Sequence, residues 1–255
     1  MYVYTHTQCI YMYVCVYIYI RIHTHTHTHI QFVYVCVCVY IYIYIYIHIY
    51  IYTHTRTYIH TYIRLYLEEG MRQGHIAILV SLDVQGAFDA AWWPSILKTL
   101  KEFNCPKNPY NLAKSYLSER TAICTTNSMQ MEREVTTGCP QGYCCGPGFW
   151  NIQYNSLLNL EFGKRTKAIA YADDLLIAVK AEMVREAENY ANIEISKITK
   201  WAKDNKITFN EQKSKAMVVT RKKRRENKDV SIYLNNKPLE YVDNIKYLGI
   251  SWIAN

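Results

Sequence analysis

Eleven residues near the middle of the chain, Ile169-Ala170-Tyr171-Ala172-Asp173-Asp174-Leu175-Leu176-Ile177-Ala178-Val179, leave it few ways to fold. Two short apolar runs, each rich in strand-compatible residues and too short for a helix, flank two adjacent acids. The economical reading is a tight hairpin whose tip holds Asp173 and Asp174 out of a buried sheet. An uncompensated carboxylate is costly to bury unless it is paired or binds a cation. A metal ion is the natural partner, and a solvated acidic turn is the plain alternative. The pattern by itself does not separate the two.

The chain joins two unlike parts. Residues 1–66 hold 16 of the 25 tyrosines and eight of the nine histidines, and no acid. They alternate in pairs, as in His23-Thr24-His25-Thr26, Val35-Cys36-Val37-Cys38 and Ile41-Tyr42-Ile43-Tyr44. Read as codons, each pair is a dinucleotide repeat: ACA-CAC gives Thr-His, GTG-TGT gives Val-Cys, and ATA-TAT gives Ile-Tyr. The hypothesis is translated microsatellite sequence fused upstream of a coding remnant, and a spliced message with a different amino end would refute it. The alternation is also a strand pattern with almost no charge, and so an aggregation hazard. The apolar run from Phe32 to Ile47 is shorter than the ~20 residues of a membrane span and dense in Tyr, which prefers interfaces, so no membrane partner is expected.

Residues 67–255 carry 26 basic and all 21 acidic residues, a balance of +5, and are long enough for one core. Nine cysteines without a Cys-x-x-Cys pair argue against a zinc module and for reduced intracellular thiols, placing the chain in the nucleus or cytoplasm. His75 to Leu82 is a buried-strand run ending at Asp83, an active-site position more often than a structural one. Pro94 opens a helix with Ile96, Leu97, Leu100 and Phe103 on one face. A second helix begins at Asn108-Pro109 and carries Leu112, Tyr116 and Leu117 inward. Residues 121–135 form a hairpin turning at Asn127-Ser128. The Gly138-Cys139-Pro140-Gln141-Gly142 loop and Gly146-Pro147-Gly148 lead into a helix; such glycines admit a ligand to the backbone, or merely make a turn. A helix over 182–205 has Met183, Val184, Ala187, Ala191, Ile195, Ile198 and Trp201 as its core stripe. Short strands follow at 215–220, 231–234 and 246–250. The run Arg221-Lys222-Lys223-Arg224-Arg225 is a solvated loop, a nucleic-acid contact or a nuclear address.

Taken in order, Asp83 with Ala87-Phe88-Asp89, the Gly138–Gly142 loop, Tyr171-Ala172-Asp173-Asp174, Lys213 and Lys246-Tyr247-Leu248-Gly249 resemble the palm motifs of reverse transcriptases. The wording of Ala90-Ala91-Trp92-Trp93-Pro94 and of Gly148-Phe149-Trp150-Asn151 is similar to that of insect non-LTR (LINE-type) retrotransposons. The resemblance covers about 67–250. It implies an α/β (α+β) polymerase palm, an antiparallel sheet backed by helices, copying an RNA template from a DNA primer with deoxynucleoside triphosphates. It further implies two Mg²⁺ ions, with Mn²⁺ as a substitute, held by Asp83, Asp173 and Asp174. Without metal, the three like charges should raise one another's pKa. Phe88 would close off the sugar 2′-position, or else simply pack in the core. Gln141, Gly142 and Tyr171 would face nucleotide and template. Lys213 would protonate departing pyrophosphate, though an isolated lysine is surface by default. Tyr247-Leu248-Gly249 would be the turn that steadies the primer end.

The chain also departs from the family pattern. Tyr143 stands where the family usually has Ser. Low-complexity sequence occupies the place of the fingers motifs, and the chain stops at Asn255, so fingers and thumb are expected to be largely missing. The expected organisation is therefore a repeat-like tract over 1–66 and a partial palm over 67–255. The alternative to a polymerase is a catalytically inert retrotransposon remnant that binds nucleic acid weakly. A protein anchored to membranes through 1–66 is a third possibility.

Overall fold

A computed structural model describes residues 57–126, 129–139, 146–220 and 230–253. Residues 1–56, the Asn127-Ser128 turn, Gln141, Gly142, Tyr143 and the basic run at 221–225 lie outside the described residues. By its internal contacts the chain divides into Met1–Arg64 and Leu65–Asn255. Among the described residues no helix is long and apolar enough to cross a membrane.

A helix over 57–72 (α1) takes in the last ten residues of the repeat-like tract, so period-2 alternation has given way to helical spacing there. Then follow β1 (Ile76–Val84), α2 (Trp93–Glu102), α3 (Lys107–Tyr116), β2 (Arg120–Thr125), β3 (Gln130–Val135) and α4 (Gly146–Leu158). The acid-bearing hairpin is β4 (Thr166–Tyr171) and β5 (Asp174–Ala181). It precedes the long α5 (Val184–Asp204) and β6 (Phe209–Val219). Short strands β7 (Tyr233–Leu234), β8 (Lys237–Pro238), β9 (Glu240–Tyr241), β10 (Asn244–Tyr247) and β11 (Ile250–Ile253) complete the described fold.

The central sheet runs β4-β5-β1-β6-β9. Its pairings are antiparallel except at the edge, where β9 lies parallel to β6. A strand covered on both faces reads as an unbroken apolar run, and β1 and β5 show why. Ile76, Ile78, Val80 and Leu82 point with Leu175, Ile177 and Val179 into the cluster that includes Ile195 and Ile198 of α5. Leu79, Leu176, Ala178 and Met217, on the other face, are fully buried as well. That second face meets α1 at one end, where the Lys180 ammonium lies 3.8 Å from the centre of the Tyr66 ring and donates to the Tyr66 carbonyl at 3.3 Å. Near the other end Tyr247 of β10 is buried, and its hydroxyl donates to the Ile169 carbonyl at 3.2 Å.

Several expected core positions turn outward. Leu112, Phe103 and Met183 are exposed. In α3 the inward stripe is Ala113 and Leu117, one position on from Leu112. Met183 is the N-cap of α5, ahead of the first inward turn, and Phe103 caps the end of α2. Helical spacing identifies a stripe, but the ends of a stripe are set by where the neighbouring layer stops. The expected single strand over 246–250 is instead a hairpin. Leu248 and Gly249 both have positive φ (49° and 76°), and Tyr247 pairs with Ile250 around them.

Candidate active site

The register of three strands assembles the site. Tyr171 pairs with Asp174, Asp174 with Asp83, and Asp83 with Asn210, so one lateral row crosses β4, β5, β1 and β6 on a single face. Placing two carboxylates directly opposite each other opposes folding on a scale of ~1 kcal/mol. Leu82 and Leu175, fully buried beside them, each contribute about 1.5–3 kcal/mol and hold the register regardless. Asp173 shares the two-residue tip with Ala172, whose φ of 54° is left-handed for a residue with a Cβ. Burial first, and then the charges of Asp173 and Asp83, push the Asp174 carboxyl up from its usual range.

Lys213 reaches this row through an irregularity. The β1–β6 ladder slips between Ser81 and Asp83, so that Ser81 faces Lys215 while Asp83 faces Asn210. The Asn210 side-chain oxygen accepts from the backbone N–H of Gln212 (3.0 Å) and Lys213 (3.3 Å). The Ser214 hydroxyl, fully buried, donates to the Asn210 carbonyl at 2.7 Å and accepts from the Asp83 N–H at 3.2 Å. This bulge sets the Lys213 ammonium 3.8 Å from an Asp83 oxygen, with the lysine itself largely exposed. Asn210 and Ser214 were not singled out from sequence, because only the slipped register gives them a role.

The wall beside the acids is aromatic. Phe88 is half-buried against the core, 6.2 Å from Trp150 between ring centres. Trp150 stacks on Tyr154 at 5.0 Å, and Tyr154 meets Trp201 edge-on at 5.8 Å. The Trp150 indole N–H donates to the Ala172 carbonyl at 2.9 Å. The Tyr154 hydroxyl is buried without a hydrogen-bond partner. Burial above all, and then Tyr247, Asp173, Asp174 and Asp83, hold that phenol well above its usual range. Neither Trp150 nor Tyr154 was among the expected site residues; Trp150 figured only in the Gly148-Phe149-Trp150-Asn151 resemblance, and Tyr154 follows it at i, i+4 on α4.

The Gly138–Gly142 loop starts against the same wall. Gly138 and Cys139 donate their backbone N–H groups to the Ala91 and Phe88 carbonyls, each at 2.7 Å, and the Trp93 indole donates to the Gly138 carbonyl at 2.8 Å. Gly138 has φ +92°, and a Cβ there would meet the Asp89 carbonyl oxygen at 3.2 Å. Gln141 and Gly142 themselves lie outside the described residues.

Of the remaining expected site residues, Tyr171 sits half-buried in the acid row. Tyr247 is buried, so what it offers the surface is the Leu248–Gly249 turn above it and not its ring. Cys105 and Cys124 are free thiols, and Cys139 is buried.

Hard carboxylate oxygens on paired strands suit a hard cation that keeps part of its water shell. Among the described residues no three acid, imidazole or thiol side chains are already gathered into a metal-holding group.

A family model described as "Reverse transcriptase (RNA-dependent DNA polymerase)" matches residues 46–252, beginning inside the repeat-like tract. Among curated proteins, the putative 115 kDa protein in the type-1 retrotransposable element R1DM of Drosophila melanogaster is 30% identical over 170 residues, covering 67% of this chain and 16% of that protein. The RNA-directed DNA polymerase from the mobile element jockey of the same species is 25% identical, covering 76% and 21%. The chain thus spans between about a sixth and a fifth of the length of these relatives. Apo telomerase from Candida tropicalis shares the fold, with a TM-score of 0.57 at 10% identity over 77% of this chain and 35% of that one.

Proposed function

Because the chain belongs to the reverse transcriptase (RNA-dependent DNA polymerase) family, with relatives among the R1 and jockey non-LTR elements of insects, we propose that residues 67–255 form the palm of an RNA-directed DNA polymerase working by two-metal nucleotidyl transfer. The observation that carries this reading is the pairing of Asp83 with Asp174 across neighbouring strands, with Asp173 at the adjoining tip.

In this reading Asp83 and Asp173 hold two Mg²⁺ ions, or Mn²⁺, with Asp174 beside them. The bound ions supply a nucleophilic primer 3′-hydroxyl and charge neutralisation at the pyrophosphate. Lys213, 3.8 Å from Asp83 and mostly exposed, is free to turn and give a proton to that pyrophosphate. Phe88, backed by Trp150, presents a ring that cannot retreat, and a ribose 2′-hydroxyl would clash with it. Tyr171, Gln141 and Gly142 contact nucleotide and template, and the Leu248–Gly249 turn steadies the primer end. RNA template, DNA primer and deoxynucleoside triphosphates are the partners.

The test is extension of a DNA primer annealed to RNA, with and without Mg²⁺. Metal-dependent extension that Asp173→Ala reduces by ~10³ or more fits the loss of a metal-bridging carboxylate. Salt-sensitive binding to the primed template with no extension would instead establish the inert remnant.

A further inference from the structure

We propose that Trp150 is a positioning residue, whose indole N–H pins the tip of the β4–β5 hairpin and thereby aims Asp173 and Asp174 at a common point. The inference rests on the reading of those acids as metal ligands and adds the residue that orients them.

The tip needs such a pin. Ala172 is left-handed at φ 54°, a conformation that a residue with a Cβ abandons unless its surroundings impose it. Its carbonyl would swing with any relaxation of the turn, and Asp173, the next residue, would swing with it. The carbonyl is instead held at 2.9 Å by the Trp150 N–H. The donor is itself immobile. Trp150 is 1% exposed, stacked on Tyr154 on one side and tilted against Phe88 on the other, and Tyr154 is braced in turn by Trp201. Reorienting the indole would strand a buried donor, which is strongly disfavoured. Trp150 therefore transmits the rigidity of α4 to the turn. The same ring supports Phe88, so the residue that holds the acids also backs the wall beside them.

The test uses the full chain. Trp150→Phe keeps an aromatic ring and removes the donor. Amide hydrogen exchange at 172–175 should then quicken roughly five- to tenfold, the factor that corresponds to one lost hydrogen bond, while the β1 amides 77–82 stay protected. Mn²⁺ affinity, read by electron paramagnetic resonance, should weaken by a similar factor. A role limited to core packing would lower the unfolding midpoint without that local signature. Trp150→His, which retains an N–H donor, should recover part of the protection.

In the unsubstituted chain, the Trp150 indole proton should exchange as slowly as the tip amides, a measurement independent of any variant. A fast-exchanging indole proton, or tip amides indifferent to Trp150→Phe, overturns the proposal. A wild-type chain that binds no Mn²⁺ overturns the two-metal reading, and the exchange data then decide the pin separately.

Discussion

Asp174 carries an electrostatic signature with a direct bearing on stability. Its folded carboxyl is pushed up by burial and by Asp173 and Asp83, so the folded state keeps a proton that the unfolded chain gives up. Between the ordinary value of 3.8 and the raised one, the folded state binds more protons, and stability falls as pH rises. The stabilising contribution is complete below the ordinary value and lost above the raised one. Urea midpoints of the metal-free protein should therefore decline as pH rises through that window, and Asp174→Asn should flatten the decline. Mg²⁺ competes with the same proton, so its affinity should increase with pH over the same range. Lys213 makes a contrasting case. Its ion pair with Asp83 is exposed on the lysine side, so Lys213→Ala should cost less than about 1 kcal/mol of stability. As a general acid, however, its loss should slow primer extension by ~10²–10⁴. Equal, small losses in both would return Lys213 to the surface reading.

At the scale of elements, the β4–β5 hairpin was legible because its two apolar runs are too short for anything else and its punctuation is acidic. The turn was not. Asp173-Asp174 was expected at the tip, whereas Ala172 and Asp173 form it and Asp174 is already the first residue of β5. An alanine in a left-handed position has no sequence signature. It does have a consequence. Ala172→Gly should relieve strain of about 1–2 kcal/mol while the unfolded chain gains about 0.4–1 kcal/mol of freedom, leaving a net stabilisation near 0.5–1 kcal/mol in equilibrium unfolding. Destabilisation would mean that the turn is not held as described. The Leu248–Gly249 turn repeats the lesson. The stretch 246–250 is apolar enough to read as one strand, yet two consecutive left-handed residues split it.

For the whole molecule, the buried cluster that organises the sheet runs, among the described residues, from Ile76 to Leu239. A chain starting at Leu65 should thus unfold in a single urea transition and sediment without the aggregates that the alternating tract promotes. A broad, non-cooperative transition would show that the core is not self-sufficient. The sequence by itself determined that two strands meet at a pair of acids, that an apolar strand ends at a third acid, and that helices lie between. Those facts rest on periodicity and punctuation, which are local. Only the tertiary structure decided that Asp83 faces Asp174, that a slipped ladder brings Lys213 to Asp83, and that Trp150 holds the Ala172 carbonyl. Each of these joins residues far apart in the chain. Cross-strand register and aromatic packing are settled by the summed burial of the layers, and no window of sequence contains that sum.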